Sequence, residues 1–315
     1  MNGVPSARRS RRFAALAAVG SVAALLAAAD AVALTVVDDA GHTFVLERPP
    51  QRVVTLAPSL TELVFAAGGG AALVGTSALS DYPPAARTIA RVGDAGRLDV
   101  ERVIALRPDL VLIWQRGNTS RELEQLEAAG IRLFQLEPRR LDDVAHAIER
   151  LGTLLGHEPE ANRRASERRA ALGRLRAAHL GVTPVKVFYQ VWRQPLMTIN
   201  GKQLIDDILT LCGGRNVFAS LAPLVPIIST EAIVDVDPEV ILTASETAGL
   251  APWRRDPANP SFAAWHRHGS MTAVRRAWLY SLNGDNISRQ GPRVVDGAAA
   301  VCAVLDQVRA ERAMR

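Results

Sequence analysis

"LDVERVIALRPDLVLIW", Leu98 to Trp114, reads as a helix of mixed apolar and charged residues, a break at Arg107-Pro108-Asp109, and a buried strand. "ISTEAIVDVDPEVILTA", Ile228 to Ala244, reads almost the same. Glu101 and Glu231 occupy matching places, and Pro108 and Pro238 each fall seven residues after their glutamate. Proline disfavours helix in the residue before it, so each copy stops its helix there. The repeated sentence points to one architecture written twice.

The surroundings of each copy agree. "LTVVDDAGHTFVLE", 34–47, reads as a hairpin turning at Asp39-Ala40-Gly41. "QRVVTLAP" is a buried strand, and Ser59 and Glu62 have the S-x-x-E spacing of a capping box opening the helix "LTELVFAAG". "ALVGTS" is a second strand and "SDYPP" a stiff turn. Thr119 and Glu122 repeat the capping-box spacing before another helix, and "IRLFQL" is a further strand. From Leu141 to about Leu180 apolar residues recur at helical spacing, and the arginine-rich continuation reads as a solvated helix face. After Pro184 the alternation returns with the strand "VKVFYQVW", a helix ending in "LCGG", the strand "AWLYSL" and a final helix. Alternating strands and helices make largely parallel sheets. The expected fold is α/β, with two α/β lobes at 34–140 and 182–315 joined by a long linking helix at 141–181.

Residues 1–33 stand apart. Arg8, Arg9, Arg11 and Arg12 precede an apolar run from Phe13 to Ala29, and "ADAVA" offers small-residue cleavage sites. That is the pattern of a secretory signal, and the run is short for a membrane span. Four arginines and Asp30 fall in this segment, so the 37 basic and 32 acidic side chains of the chain become 33 and 31 without it. The net charge drops from +5 to +2, and the basic balance is no argument for a nucleic-acid partner. Cys212 and Cys302 are the only cysteines. In an exported protein they either form a disulfide or stay as two buried thiols.

Ligands of open parallel sheets bind beyond the carboxyl ends of the strands. Trp114 and Asn118 follow one such strand, Gln190 and Trp192 end another, Asp81 and Tyr82 follow a third, and Asp285, Asn286, Ile287, Ser288 and Arg289 follow a fourth. Aromatics mixed with amides and charges suit a large, flat, partly apolar ligand with polar arms. No nucleophile elbow, H-E-x-x-H, P-loop or dinucleotide fingerprint occurs, and His266-x-His268 lacks a third metal ligand nearby.

"RVVTLAPSLTELVFAAG", "SDYPPAA", "VERVIALRPDLVLIWQRGN", "LCGGRNVF", "VPIISTEAIV" and "ISRQGPRVVDGAAAVCAVLDQV" together resemble the periplasmic cobalamin-binding proteins of ABC importers. The first and third motifs are shared with the wider family that binds haem and iron–siderophores. The resemblance implies a periplasmic carrier, acting as a monomer, that takes cobalamin or a related corrinoid as cargo and delivers it to a permease in the inner membrane. It implies no catalysis, no resident cofactor and no metal site. By position, Tyr82 and Trp114 match pocket aromatics, and Asp285 to Arg289 match a loop of the C-terminal lobe that touches the ligand. Glu101 and Glu231 match two permease-docking glutamates, and Cys212 and Cys302 match a bridge. Ala95 and Val225 stand where some members carry tryptophan, and Ile287 and Ser288 replace an aromatic and an acid. A haem or siderophore carrier, with Tyr82 as a haem iron ligand, is the alternative within the class. A two-lobed enzyme with its active site in the same cleft is the alternative outside it.

Overall fold

The computed structural model describes Met1, Gly3 and residues 34–314 apart from 95–96, 115–116 and 246–250. The expected export signal falls almost wholly outside the described residues, as do Ala95, Gln115 and Arg116. The N-terminal half opens with the hairpin β1 (Leu34–Val37) and β2 (Thr43–Leu46). It continues through β3 (Val53–Thr55), α1 (Pro58–Ala66), β4 (Leu73–Thr76) and the short ribbon β5 (Gly93–Asp94) and β6 (Arg97–Leu98). Then come α2 (Val100–Ala105), β7 (Leu110–Ile113), α3 (Ser120–Ala128) and β8 (Leu133–Gln135). Its sheet has the order β4-β3-β7-β8, and every neighbouring pair is parallel. All of β3 and β7 is buried, as helices on both faces of a parallel sheet require.

The two helices α4 (Leu141–Leu155) and α5 (Glu158–Ala178) link this half to the next. The stretch expected as one long helix is therefore a packed pair, broken where Gly156 takes a left-handed φ of 74°. Gly152 lets the pair come close, since a Cβ there would lie 2.2 Å from that of Ala161. Several arginines of α5 are paired on its surface, among them Arg163 with Glu160 and Arg176 with Asp142, as the solvated-face reading expects. Such exposed pairs contribute little to stability.

The C-terminal half contains β9 (Val185–Gln190), the ribbon β10 (Trp192–Arg193) and β11 (Leu196–Met197), α6 (Leu204–Leu211), β12 (Gly214–Asn216), α7 (Thr230–Val236) and β13 (Val240–Ser245). It ends with β14 (Trp253–Arg255), α8 (Thr272–Arg275), β15 (Leu279–Asn283), α9 (Gly284–Ser288) and α10 (Val294–Ala313). The sheet order is β12-β9-β13-β15, parallel throughout, with β14 added antiparallel at the edge. The first strand of each sheet in chain order thus lies inside and the second at the edge in both halves.

The repeat is closer in space than in sequence. The N-cap side chains Asp99 and Ser229 accept hydrogen bonds from the backbone of Arg102 and Ala232, opening α2 and α7. The residue before each proline is left-handed, Arg107 at φ 44° and Asp237 at φ 41°. The acid after each proline accepts from the backbone entering the first strand. Asp109 takes the N–H groups of Gln51 and Arg52, and Glu239 takes that of Lys186. Arg52 and Lys186 in turn donate to Leu106 O and Val236 O at the ends of α2 and α7. Free carbonyls and the helix dipole both favour a cation there.

One continuous cluster of buried residues runs from Leu60 and Leu63 of α1 through Leu151 and Leu172 of the linking pair to Val301 and Leu305 of α10. The halves therefore share a core at their joined side. Among the described residues, no helix is long and apolar enough to cross a membrane.

A disulfide joins Cys212, at the end of α6, to Cys302 in α10 across 90 residues of sequence. Closing a loop of that length stabilises by about 4–5 kcal/mol in the chain-entropy model. Protein purified from an oxidising compartment should contain no titratable thiol, and reductant should lower its melting temperature by roughly 10 °C. Two reactive thiols in the native protein would contradict the bridge.

Candidate functional site

The carboxyl ends of both sheets face one cavity of about 630 Å3. From the N-terminal half come Leu56 to Ser59 after β3, Ser77 and Leu79 after β4, Asp94, and Trp114 after β7. From the C-terminal half come Val191 after β9, Gln203, Val225, and Ser288, Arg289 and Gln290 after β15. Aliphatic walls and one indole are thus edged by hydroxyls, amides, one acid and one cation. A second cavity of about 290 Å3 shares Gln203 and Gln290 with the first and extends it toward Glu137, Arg139 and Lys202.

Buried hydroxyls hold the loop after β4 in place. Thr61 bonds both Thr55 (2.6 Å) and Ser80 (2.9 Å), and Ser80 bonds Ser77 (2.9 Å). Arg91 donates to Thr76 Oγ1 and to Ser80 O. These bonds set Leu79 against the cavity and Asp81 at its margin. On the other side, Tyr189 of β9 is fully buried, which pushes its phenol up, offset in part by its hydrogen bond with Ser288.

A buried polar contact between the halves centres on Glu62. Its side chain is 1% exposed and receives Arg289 at 3.1 Å and Arg293 at 2.6 Å. Arg293 is bidentate, its Nε lying 2.9 Å from the second oxygen. Arg289 also reaches Asp81 at 2.9 Å and Asp285 at 2.8 Å. Burial pushes the Asp81 carboxyl up, but its hydrogen bond to Arg289 and the nearby cationic charge hold it below the usual range. Partial burial would lower Arg293, but its hydrogen bond and charge pairing with Glu62 raise it.

The sequence expectation for Glu62 is overturned here. Helix α1 starts at Pro58 with Ala57 as its cap, and no side chain caps it. Proline suits the first helical turn, so the helix begins one residue before Ser59 and the S-x-x-E pair never forms a box. Glu62 turns to the other half instead. The signal was present, because "PSLTELVFA" has one charged residue and five of its neighbours in the helix are buried. A lone acid on such a helix needs a partner. At Thr119 and Glu122 the same pattern does form a capping box.

Of the candidate ligand residues, Trp114, Ser288 and Arg289 line the main cavity. Trp114 Nε1 and both amide atoms of Asn118 are buried without a hydrogen-bond partner, on the loop after β7. Tyr82 lies outside the cavity lining, with the Arg293 guanidinium 4.4 Å from its ring centre. Gln190 is 1% exposed, and its amide is spent inside the C-terminal half, donating to Ser261 O and accepting from Trp265 Nε1. Trp192 sits on the exposed ribbon and lines a separate cavity with Thr243 and Asn259. Residues 285–288 belong to α9, a helix rather than the expected loop. Helical geometry turns Ile287 into the core while Ser288 and Arg289 reach the cavity and Asp285 pairs with Arg289. Asn286 is partly buried, its backbone N–H given to the Asn283 side chain. Glu101 and Glu231 are exposed in the first turns of α2 and α7. His266 is exposed and bonds Pro257 O, and no metal-holding group of three side chains exists among the described residues. Leu79, Val191, Gln203, Gln290 and Arg293 had no local pattern to mark them, since loops and helix ends bring them together from distant parts of the chain.

Comparison with known proteins agrees with this geometry. Residues 53–285 match the family model described as periplasmic binding protein. The vitamin B12-binding protein of Vibrio parahaemolyticus is 33% identical over 268 residues, covering 84% of this chain and 92% of that one. That of Photorhabdus laumondii is 35% identical over 257 residues, covering 82% and 88%. Among solved structures, the periplasmic vitamin B12 binding protein BtuF of Vibrio cholerae superposes with a TM-score of 0.74 at 31% identity, over 83% of this chain and 98% of that one. A periplasmic heme binding protein from Pseudomonas aeruginosa gives 0.69 at 28% identity, over 81% and 92%. A repeated parallel sheet, two linking helices and a cleft at the strand ends thus have the relatives their geometry calls for, and the chain belongs to the periplasmic binding protein family.

Proposed function

We propose that this protein captures cobalamin or a closely related corrinoid in the cleft between its halves and delivers it to the permease of an ABC importer. The observation that carries this reading is the chemistry of the main cavity. A corrin is a broad, largely apolar ring edged by amide arms. Leu56, Leu79, Val191, Val225 and the Trp114 indole offer apolar surface to such a ring, while Ser59, Gln203, Ser288 and Gln290 offer hydroxyls and amides to its edge. The names of the relatives support the same ligand. In this reading the protein binds its cargo and leaves it chemically unchanged. It works as a monomer in the periplasm once residues 1–33 have been removed.

Haem is the second reading, favoured by the heme-binding protein among the solved relatives. A Tyr82 phenol serving as iron ligand would have to leave the face of Arg293 and enter the cleft. Titration of the purified protein against cyanocobalamin, haemin and a ferric siderophore separates the readings. Cyanocobalamin should bind, and Trp114→Ala should weaken it by about 1–3 kcal/mol. Tight haemin binding with no response to cyanocobalamin would overturn the corrinoid reading and leave the family untouched.

Glu101 and Glu231 are assigned to permease docking. They stand at equivalent positions of the repeat, each exposed at a helix start. A permease with two equivalent subunits offers the same surface twice, and a carrier with one acid per half can engage both at once. The double variant Glu101→Ala, Glu231→Ala should bind ligand and melt as the parent does. It should fail to stimulate ATPase activity or uptake in the reconstituted importer. Normal uptake would remove the docking role and leave only favourable charges at two helix N-termini.

A further inference from the structure

We propose that Glu62 is a positioning residue for the cleft: from the N-terminal half it holds Arg289 and Arg293 of the C-terminal half, and so fixes both the separation of the halves and the aim of the pocket cation. The inference deepens the corrinoid reading and rests on it for its binding consequence. Glu62 lies in α1, the helix that follows β3, whereas both arginines follow β15 more than 220 residues later. The carboxylate is 1% exposed, and the arginine side chains are 17% and 15% exposed. A charge this deep is stable only with its partners in place, so drawing the halves apart would leave it uncompensated. Nearby packing agrees with a close approach at this point. A Cβ on Gly291, between the two arginines, would lie 3.4 Å from Glu62 Oε2 and 3.6 Å from Ser59 Cα.

The same contact aims Arg289 at the cavity. The side chain lines the cavity beside Ser288 and Gln290, and three carboxylates hold it there: Glu62 and Asp81 from one half, Asp285 from its own. Asp81 and Asp285 are 49% and 40% exposed, so their grip is the more solvent-screened. Glu62 is the buried member of the three and grips Arg293 through two hydrogen bonds, while Asp285 meets the same guanidinium only at 3.6 Å. Arg293 in turn covers the Tyr82 ring. One side chain therefore governs two cations and, through the second, the placement of an aromatic at the margin of the cleft.

The test uses Glu62→Gln, which keeps shape and removes charge, and Glu62→Gln with Arg293→Gln, which also removes the stranded cation in case the single variant folds poorly. Spin labels on Gln125→Cys in α3 and on Ala264→Cys, both exposed and one on each half, read the separation of the halves without ligand. The mature protein carries the labels, with its disulfide intact. Both variants should show a longer or broader distance distribution than the parent, and cyanocobalamin affinity should fall about 10-fold or more. Melting curves and circular dichroism should show a folded protein in each case. The proposal requires both changes: an unaltered distance distribution, or affinity within a factor of about two of the parent, overturns it. A parent that does not bind cyanocobalamin would instead sink the ligand reading, and the distance measurement alone would then decide the role of Glu62.

Discussion

A carboxylate with almost no exposure sits where the two halves of this protein meet, and every guanidinium that neutralises it belongs to the opposite half. This arrangement ties the two walls of the cleft together beside the cavity. Buried charge is costly unless it is paired and hydrogen-bonded, and here the pairing exists only when the halves stand at one separation. The shared apolar core holds the joined side of the molecule, around α4, α5 and α10. The Glu62 cluster holds a second point, beside the cavity itself. Two points of attachment leave less freedom than a single hinge would.

The duplicated strand order explains why there is a cleft at all. In each half the chain forms an inner strand, then an edge strand, then returns to the other side of the first. That reversal leaves a crevice beyond the carboxyl ends of the strands. The linking helices set two such edges face to face, so Leu56 and Trp114 look across the cavity at Val191 and Val225. The turns repeat to the level of single side chains, with Asp109 and Glu239 tying each first strand and Arg52 and Lys186 closing each helix. Glu101 and Glu231 inherit their equivalence from this repeat.

The walls of the cavity are largely aliphatic, with Trp114 as the aromatic side chain among the described residues that line it. Val225 and, at the end of β9, Val191 supply apolar surface to the cavity. Flat aromatic contact is concentrated in Trp114, because Tyr82 is engaged by Arg293 and Trp192 lies on the outer ribbon. In the proposed complex, affinity would rest on apolar contact with the ring and on the amides and hydroxyls around it.

The α/β class, the repeated architecture, a helical link and the strand ends that meet at the candidate cavity were legible in the sequence. Each depends on patterns within about twenty residues: apolar strand runs, helical spacing, prolines that end helices, and residues that follow a strand. The sequence left Cys212 and Cys302 as either a bridge or two buried thiols, and the fold brings them together as a disulfide. What the tertiary structure decided is the direction of individual side chains. The S-x-x-E spacing at Ser59 and Glu62 satisfies a local rule, but Pro58 starts the helix early and two distant arginines claim the acid. Gln190 ends a strand as expected, yet its amide turns inward to Trp265 and Ser261. Ile287 sits among ligand-facing candidates and is buried because that stretch coils into a helix. Local sequence determines which element forms and where it stops. Where a buried charge or amide points depends on partners far away in the chain, and only packing brings those partners within reach.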